Sequence, residues 1–168
     1  MKTLITGGKS AQALKLLKAF SGDQVILGDY GDMPSFVSSQ YQLMDLGPRN
    51  DDTIAHNLLN ACLDQEADRL LPIYSFELEA VSKSAVLFEE FNIHVLLPDT
   101  ATFPVYFDAP AGDKKNWAVF DKGQLVYSTL LDTELLKGGE EKNLNGAFYI
   151  TEDENGINPA LFMIPDGL

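Results

Sequence analysis

Gly7-Gly8-Lys9-Ser10, near the start of the chain, has the residue types needed to hold an anion. The four follow the short apolar run Leu4-Ile5-Thr6 and open a helical pattern. Backbone N–H groups at such a helix start, with no carboxylate nearby in sequence, suit a phosphate. Asp29 ends a second apolar run, Val25-Ile26-Leu27, at the place where an acidic residue would hold a ribose, and Tyr30 follows it. Tyr74-Ser75 closes a later run, and Asp99 lies just beyond Ile93–Leu97. Ser75 can cap the helix that follows, with Glu77 and Glu79 in its first turn. Those two carboxylates would repel phosphate but could meet a hydroxyl or an amine. Any phosphate is therefore expected at Gly7–Ser10. The candidate ligand contacts are Gly7, Gly8, Ser10, Asp29, Tyr30, Tyr74, Ser75 and Asp99. The same glycines would equally serve a tight strand-to-helix turn with no ligand at all.

Several motifs are approached and missed. Gly8-Lys9-Ser10 matches the end of a P-loop, but Thr3 stands where the first glycine is required. Thr6-Gly7 begins the short-chain dehydrogenase pattern, yet Ala11 and Ala13 replace its later glycines, and G-x-G-x-x-G is not met. His56 falls opposite the apolar stripe of its helix and reads as solvated; His94 reads as a satisfied histidine within a strand. Neither has a partner at metal-ligand spacing. Cys62 is expected to be buried and inert. No Ser-His-Asp arrangement has local sequence support. Glu152-Asp153-Glu154-Asn155-Gly156 misses the EF-hand spacing and reads as an exposed turn.

The elements that must position these residues alternate. Strands are expected at Lys2–Thr6, Val25–Leu27, Tyr41–Met44, Arg69–Ile73 and Ile93–Leu97. Helices are expected from Ser10 to Phe20, after the Pro48–Asp52 start signal, and from Ser75 onward, burying Leu78, Val81, Ala85 and Phe88. Short strands alternating with helices give a parallel α/β sheet of Rossmann-like, three-layer type, with the first strand central. The second and third strands should lie on one side of it, the fourth and fifth on the other. Ligands then bind beyond the carboxyl ends of the strands. This reading gives residues 1–100 to the α/β domain and residues 101–168 to a small antiparallel β extension. In the extension, Thr102–Phe107 reads as a strand. Trp117–Phe120 and Gln124–Ser128 form a hairpin around Asp121-Lys122-Gly123, Gly138–Asn143 is a polar loop, and Ala147–Thr151 with Ala160–Ile164 is a second hairpin.

Composition narrows the function classes. The formal net charge of -13 argues against nucleic acid and against an anionic membrane surface as partners. No apolar stretch reaches the ~18 residues of a membrane span. A single cysteine rules out an intrachain disulfide, and a cytoplasmic location is expected.

The stretch from Lys2 to about Thr100 resembles the pre-ATP-grasp domain, the N-terminal α/β module of the ATP-grasp ligases, including proteins similar to the large subunit of carbamoyl-phosphate synthase. The resemblance rests on the order and spacing of Leu4-Ile5-Thr6-Gly7-Gly8, Val25-Ile26-Leu27-Gly28-Asp29-Tyr30, the stretch Arg69–Leu78 and the stretch Phe88–Pro98. In that family the module precedes a larger domain that holds ATP and Mg and forms an acyl phosphate. Too little sequence remains here for that domain. Phe103–Pro110 is similar to the family's lysine-bearing strand but contains no lysine.

The resemblance implies ligase-related ancestry, with ATP and Mg suggested only by the family. Three functional readings follow. The first is a small-molecule or nucleotide-binding module or accessory subunit without ligase activity of its own, with a separate catalytic chain or a second copy as partner. The second is a nicotinamide-dinucleotide oxidoreductase or sensor. The third is a structural protein that dimerises through hairpin edges, with the β extension capping the sheet or mediating self-association.

Overall fold

The computed structural model describes residues 1–34 and 36–166. The chain divides into two compact units. One comprises Met1–Val95 together with the segment that begins at Met163; the other is Leu96–Phe162.

The first unit is built on a five-stranded parallel sheet. Its strands are β1 (Lys2–Ile5), β2 (Gln24–Asp29), β3 (Tyr41–Asp45), β4 (Arg69–Leu71) and β5 (His94–Val95), in the order β3-β2-β1-β4-β5. This is the order the alternation of strand and helix predicts, with β1 central. The central strands are short and apolar because they are covered: Leu4, Ile5, Ile26, Leu27, Leu70 and Leu71 are essentially inaccessible. Each such side chain contributes about 1.5–3 kcal/mol by leaving water. Helix α1 (Ala11–Leu16) is capped by Ser10, whose hydroxyl accepts the Ala13 N–H, and tightens into a 3-10 turn over Leu17–Phe20. Helix α2 (Ile54–Gln65) buries Ile54, Leu58, Ala61 and Cys62.

The third expected helix is two. Helix α3 (Ser75–Lys83) and helix α4 (Ala85–Glu90) meet at Ser84, and Tyr74, not Ser75, occupies the cap position of α3. The edge strand β3 is itself partly covered. Val37 bridges Gln42 in antiparallel sense, and Leu43 N–H donates to Phe36 C=O at 3.0 Å. At the amino ends of the strands Arg69 is buried against Asp23, and Thr3 donates to the same carboxylate at 2.9 Å.

The second unit contains the antiparallel sheet. Helix α5 (Phe103–Phe107) comes first, then strands β6 (Trp117–Asp121) and β7 (Gln124–Ser128), helix α6 (Thr133–Glu141), and strands β8 (Gly146–Asp153) and β9 (Gly156–Leu161). The strand order is β7-β6-β8-β9. Both hairpins predicted from turn chemistry are present. The first closes through Lys122 and Gly123, both at positive φ, which is the backbone a tight hairpin needs.

Two expectations fail here. Thr102–Phe107 is not a strand: Asp99 accepts the N–H and hydroxyl of Thr102, Pro104 sits in the first turn, and Phe103 stacks on Phe107 one turn later at 5.1 Å. Gly138–Asn143 is not a loop throughout, because α6 runs through both glycines. Asp132 caps α6 by accepting the Glu134 N–H, and Leu135 and Gly139 form its buried face. The glycines give close approach rather than flexibility. A Cβ at Gly139 would lie 2.1 Å from the Phe120 ring, and one at Gly138 2.7 Å from Ile157. Among the described residues no helix is long and apolar enough to cross a membrane.

Gly139→Ala raises helix propensity yet overpacks the Phe120 contact. It is expected to destabilise the protein by about 1–3 kcal/mol, measured by urea unfolding followed through Trp117 fluorescence. A more stable variant would show that the α6–sheet gap is elastic.

Candidate binding site at the carboxyl ends of the parallel strands

Strand β1 ends in Thr6-Gly7-Gly8, and both glycines are required by their surroundings. Gly7 has φ +73°, and a side chain on Gly8 would meet the Leu27 backbone at 2.9–3.0 Å. A substitution at Gly8 therefore strains the turn before it tests any ligand. The N–H groups of this turn point inward. Gly8 donates to Gly28 C=O at 3.0 Å, Lys9 to Asp29 Oδ2 at 2.9 Å, and Ser10 to Gly7 C=O at 2.8 Å. The turn thus already faces an anion, the carboxylate of Asp29. A phosphate at Gly7–Ser10 would have to displace these acceptors and sit against that charge.

Asp29 is only 2% exposed. Besides Lys9 N–H it accepts Tyr30 N–H at 2.7 Å and the Tyr74 hydroxyl at 2.8 Å. A ribose hydroxyl expected at Asp29 would compete with the phenol of Tyr74. Glu77, one helical turn into α3, is fully buried. It accepts the Thr6 hydroxyl at 2.6 Å, the Tyr30 hydroxyl at 2.5 Å and the Tyr74 N–H at 3.2 Å. The last of these is the reach-back of a capping box. Thr6 is doubly used, since its oxygen also accepts Ile73 N–H at 2.8 Å.

The electrostatics follow from burial. Loss of water pushes the Glu77 carboxyl up to about 7; the hydrogen bonds from Thr6, Tyr30 and Tyr74 pull the other way, and the Asp29 charge adds a smaller upward push. Burial first and Glu77 second hold the Tyr30 phenol well above its ordinary value. Burial, then the bond to Asp29, does the same for Tyr74. Both tyrosines are therefore hydrogen-bond donors throughout the physiological range.

Above this network lies a cleft of about 240 Å³. Tyr30, Tyr74 and Phe76 supply aromatic faces, with ring centroids 5.0 Å (Tyr74–Phe76) and 5.5 Å (Tyr30–Phe76) apart. Lys9 reaches its rim and donates from Nζ to Tyr30 C=O at 2.7 Å. Arg49, from the connection between β3 and α2, lies over the Phe76 ring at 3.6 Å and pairs with Asp51 and Asp166. Ile164, in the segment returning to this unit, bonds to Ile73 C=O and Ser75 N–H and brings Asp166 to the rim.

Of the candidate residues, Asp29, Tyr30, Tyr74 and Ser75 line the cleft; Gly7, Gly8 and Ser10 form the turn around Lys9 and do not line it. Asp99 falls in the second unit, engaged with Thr102. Sequence reading missed Arg49, Phe76 and Asp166 as cleft residues, and missed that Glu77 is buried. Arg49 registers only as part of a helix-start signal, and nothing local links it to a carboxylate 117 positions away.

The family resemblance implies Mg-ATP as the bound group. Among the described residues no three His, Cys, Asp or Glu side chains converge to hold a metal ion. The stretch similar to the lysine-bearing strand is partly helix α5 and lacks the lysine. Cys62 is buried and its thiol is pushed up to about 12 by that burial. His56 is exposed, and His94 pairs with Glu89 at 3.0 Å.

Because folding raises the Glu77 pKa from 4.5 to about 7, its contribution to stability is complete below about pH 4.5 and is lost as pH rises through about 7. The native state holds the extra proton in that window, so stability falls with rising pH, by roughly 3 kcal/mol for this group. In Glu77→Gln the fall between pH 4.5 and 7.5 should be correspondingly shallower. Parallel urea-unfolding series of the two proteins check this, and identical slopes would remove Glu77 as the cause.

No protein-family model matches the chain, and no curated protein matches it. Several solved structures resemble it. Glycinamide-RNase-transformylase T from Mycobacterium tuberculosis is 13% identical with a TM-score of 0.42, covering 63% of this chain and 31% of that one. Urea carboxylase from Kluyveromyces lactis is 12% identical with a TM-score of 0.49, covering 95% of this chain and 20% of that one. The chain thus spans less than a third of either protein.

Proposed function

We propose that this chain is a small-molecule or nucleotide-binding module, acting alone or as an accessory subunit, without ligase activity of its own. The observation that carries the reading is the cleft at the carboxyl ends of the parallel strands, where Tyr30, Tyr74 and Phe76 meet two cationic side chains, Lys9 and Arg49. Parallel α/β sheets bind ligands at this edge, and a few convergent polar groups among aromatic faces are what such sites use. The resemblance of Lys2–Thr100 to the pre-ATP-grasp module supports the same location. The proposal of no ligase activity is supported by the missing lysine in Phe103–Pro110, the stretch similar to the family's lysine-bearing strand.

The nicotinamide reading is weaker. Its ribose contact, Asp29, is already bonded to Tyr74, Tyr30 and Lys9.

A thermal-shift panel of ATP with Mg, ADP, AMP, the nicotinamide cofactors and amino acids tests the proposal. A ligand present at about 100 times its Kd adds about 2.7 kcal/mol and raises Tm by several degrees. The shift should vanish in Phe76→Ala, which removes an aromatic face of the cleft while leaving the buried carboxylates their donors. A shift that survives Phe76→Ala would move the site elsewhere. No shift with any compound would favour a purely structural role.

A further inference from the structure

The chain has two arginines. Arg69 is buried against Asp23, and Arg49 stands at the cleft with its side chain 38% exposed. Its guanidinium is held on three sides. Phe76 supports one face at 3.6 Å. Asp51, two residues along the same connection, takes Nε at 2.7 Å and Nη2 at 3.1 Å and so sets the plane. Asp166 takes the remaining edge as a parallel fork, Nη1–Oδ1 at 2.9 Å and Nη2–Oδ2 at 3.0 Å. That is the geometry in which arginine recognises a carboxylate or phosphate on a ligand.

Asp51 and Asp166 differ in kind. Asp51 is local and orients the group. Asp166 is half exposed, is brought in by a distant segment, and lines the cleft itself. The anchor of that segment is Ile164, bonded through its backbone to Ile73 and Ser75, so the Asp166 carboxylate can leave the fork while Ile164 stays in place. At this exposure water and salt compete for both partners even of a bidentate pair. A ligand oxyanion entering beside Lys9 and the aromatic faces would make the same fork and gain a second cation.

Resting on the binding-module reading, we propose that the cleft takes a small oxyanion-bearing ligand whose carboxylate or phosphate replaces Asp166 on Arg49. Asp166 is then an internal competitor that sets the affinity. A cleft of about 240 Å³ suits a compact metabolite rather than a dinucleotide.

The test is an NMR titration of the full chain with inorganic phosphate and, separately, with succinate, at constant ionic strength. The signals followed are the Tyr30, Ser75 and Phe76 amides and the Arg49 Nε–H. Asp166→Ala removes the competitor, so it should bind at least one probe about threefold or more tighter than the unaltered protein. Arg49→Gln should bind about tenfold or more weaker. Phosphate preference identifies a phosphoryl ligand, and succinate preference a carboxylate. If neither probe moves these signals in the unaltered protein or in Asp166→Ala, the proposal is overturned. If a compound from the thermal-shift panel binds the cleft equally well in Arg49→Gln, the oxyanion assignment falls and the binding-module reading stands. If no compound moves these signals, both fall.

Discussion

The carboxyl edge of the parallel sheet depends on a crossed pair of hydrogen bonds. Tyr30, at the end of β2, donates to Glu77 in α3; Tyr74, at the end of β4, donates to Asp29 at the end of β2. The two bonds tie together the loops on either side of β1, and Thr6 at the end of β1 joins them through Glu77 and Ile73. Two buried carboxylates in one network would ordinarily be strongly destabilising. Each is instead met by three donors: Lys9 N–H, Tyr30 N–H and the Tyr74 hydroxyl at Asp29; the Thr6 hydroxyl, the Tyr30 hydroxyl and Tyr74 N–H at Glu77. Each carboxylate thus depends on a phenol from the neighbouring segment. Losing either phenol leaves a buried carboxylate short of a donor and frees one wall of the cleft.

The two carboxylates of the network have different donor sets. Asp29 lies where two backbone N–H groups from different segments converge, those of Lys9 and Tyr30. Glu77 has one backbone donor and two hydroxyls, and complete burial outweighs them, so it titrates near neutrality. A glycine-turn that would otherwise collect a phosphate is thereby occupied by the protein's own carboxylate. The proposed ligand is left the outer layer of aromatic faces and cations.

Much of the fold is legible in the sequence because it is carried by local patterns. Apolar runs such as Leu4-Ile5 and Val25–Leu27, each closed by glycine or a polar residue, fix five strands, and the crossover rule places β1 at the centre. Asp121-Lys122-Gly123 fixes a hairpin by its turn chemistry. The failures arise where tertiary packing overrides propensity. Gly138 and Gly139 argue against a helix in isolation, but Phe120 and Ile157 need the space their missing side chains leave. Thr102–Phe107 has strand-like composition, but an aspartate three residues ahead of Thr102 and a proline in the first turn decide for helix.

The proximity of some candidate residues is legible in the sequence, but their contacts are not. The rule that ligands bind at the carboxyl edge selects Tyr30, Tyr74 and Asp29 correctly as neighbours, because strand ends are readable. It cannot say which way a donor points, since that is settled by partners tens of residues apart, 45 for Tyr74 and Asp29 and 117 for Arg49 and Asp166. These long-range pairs also divide the labour. The buried pairs are shielded from water and fix the floor of the cleft. The Arg49–Asp166 pair lies in solvent, where an ion pair is easily exchanged for another. In the proposed site, a rigid floor with an exchangeable rim would keep the shape of the cleft while the charge partner of Arg49 changes.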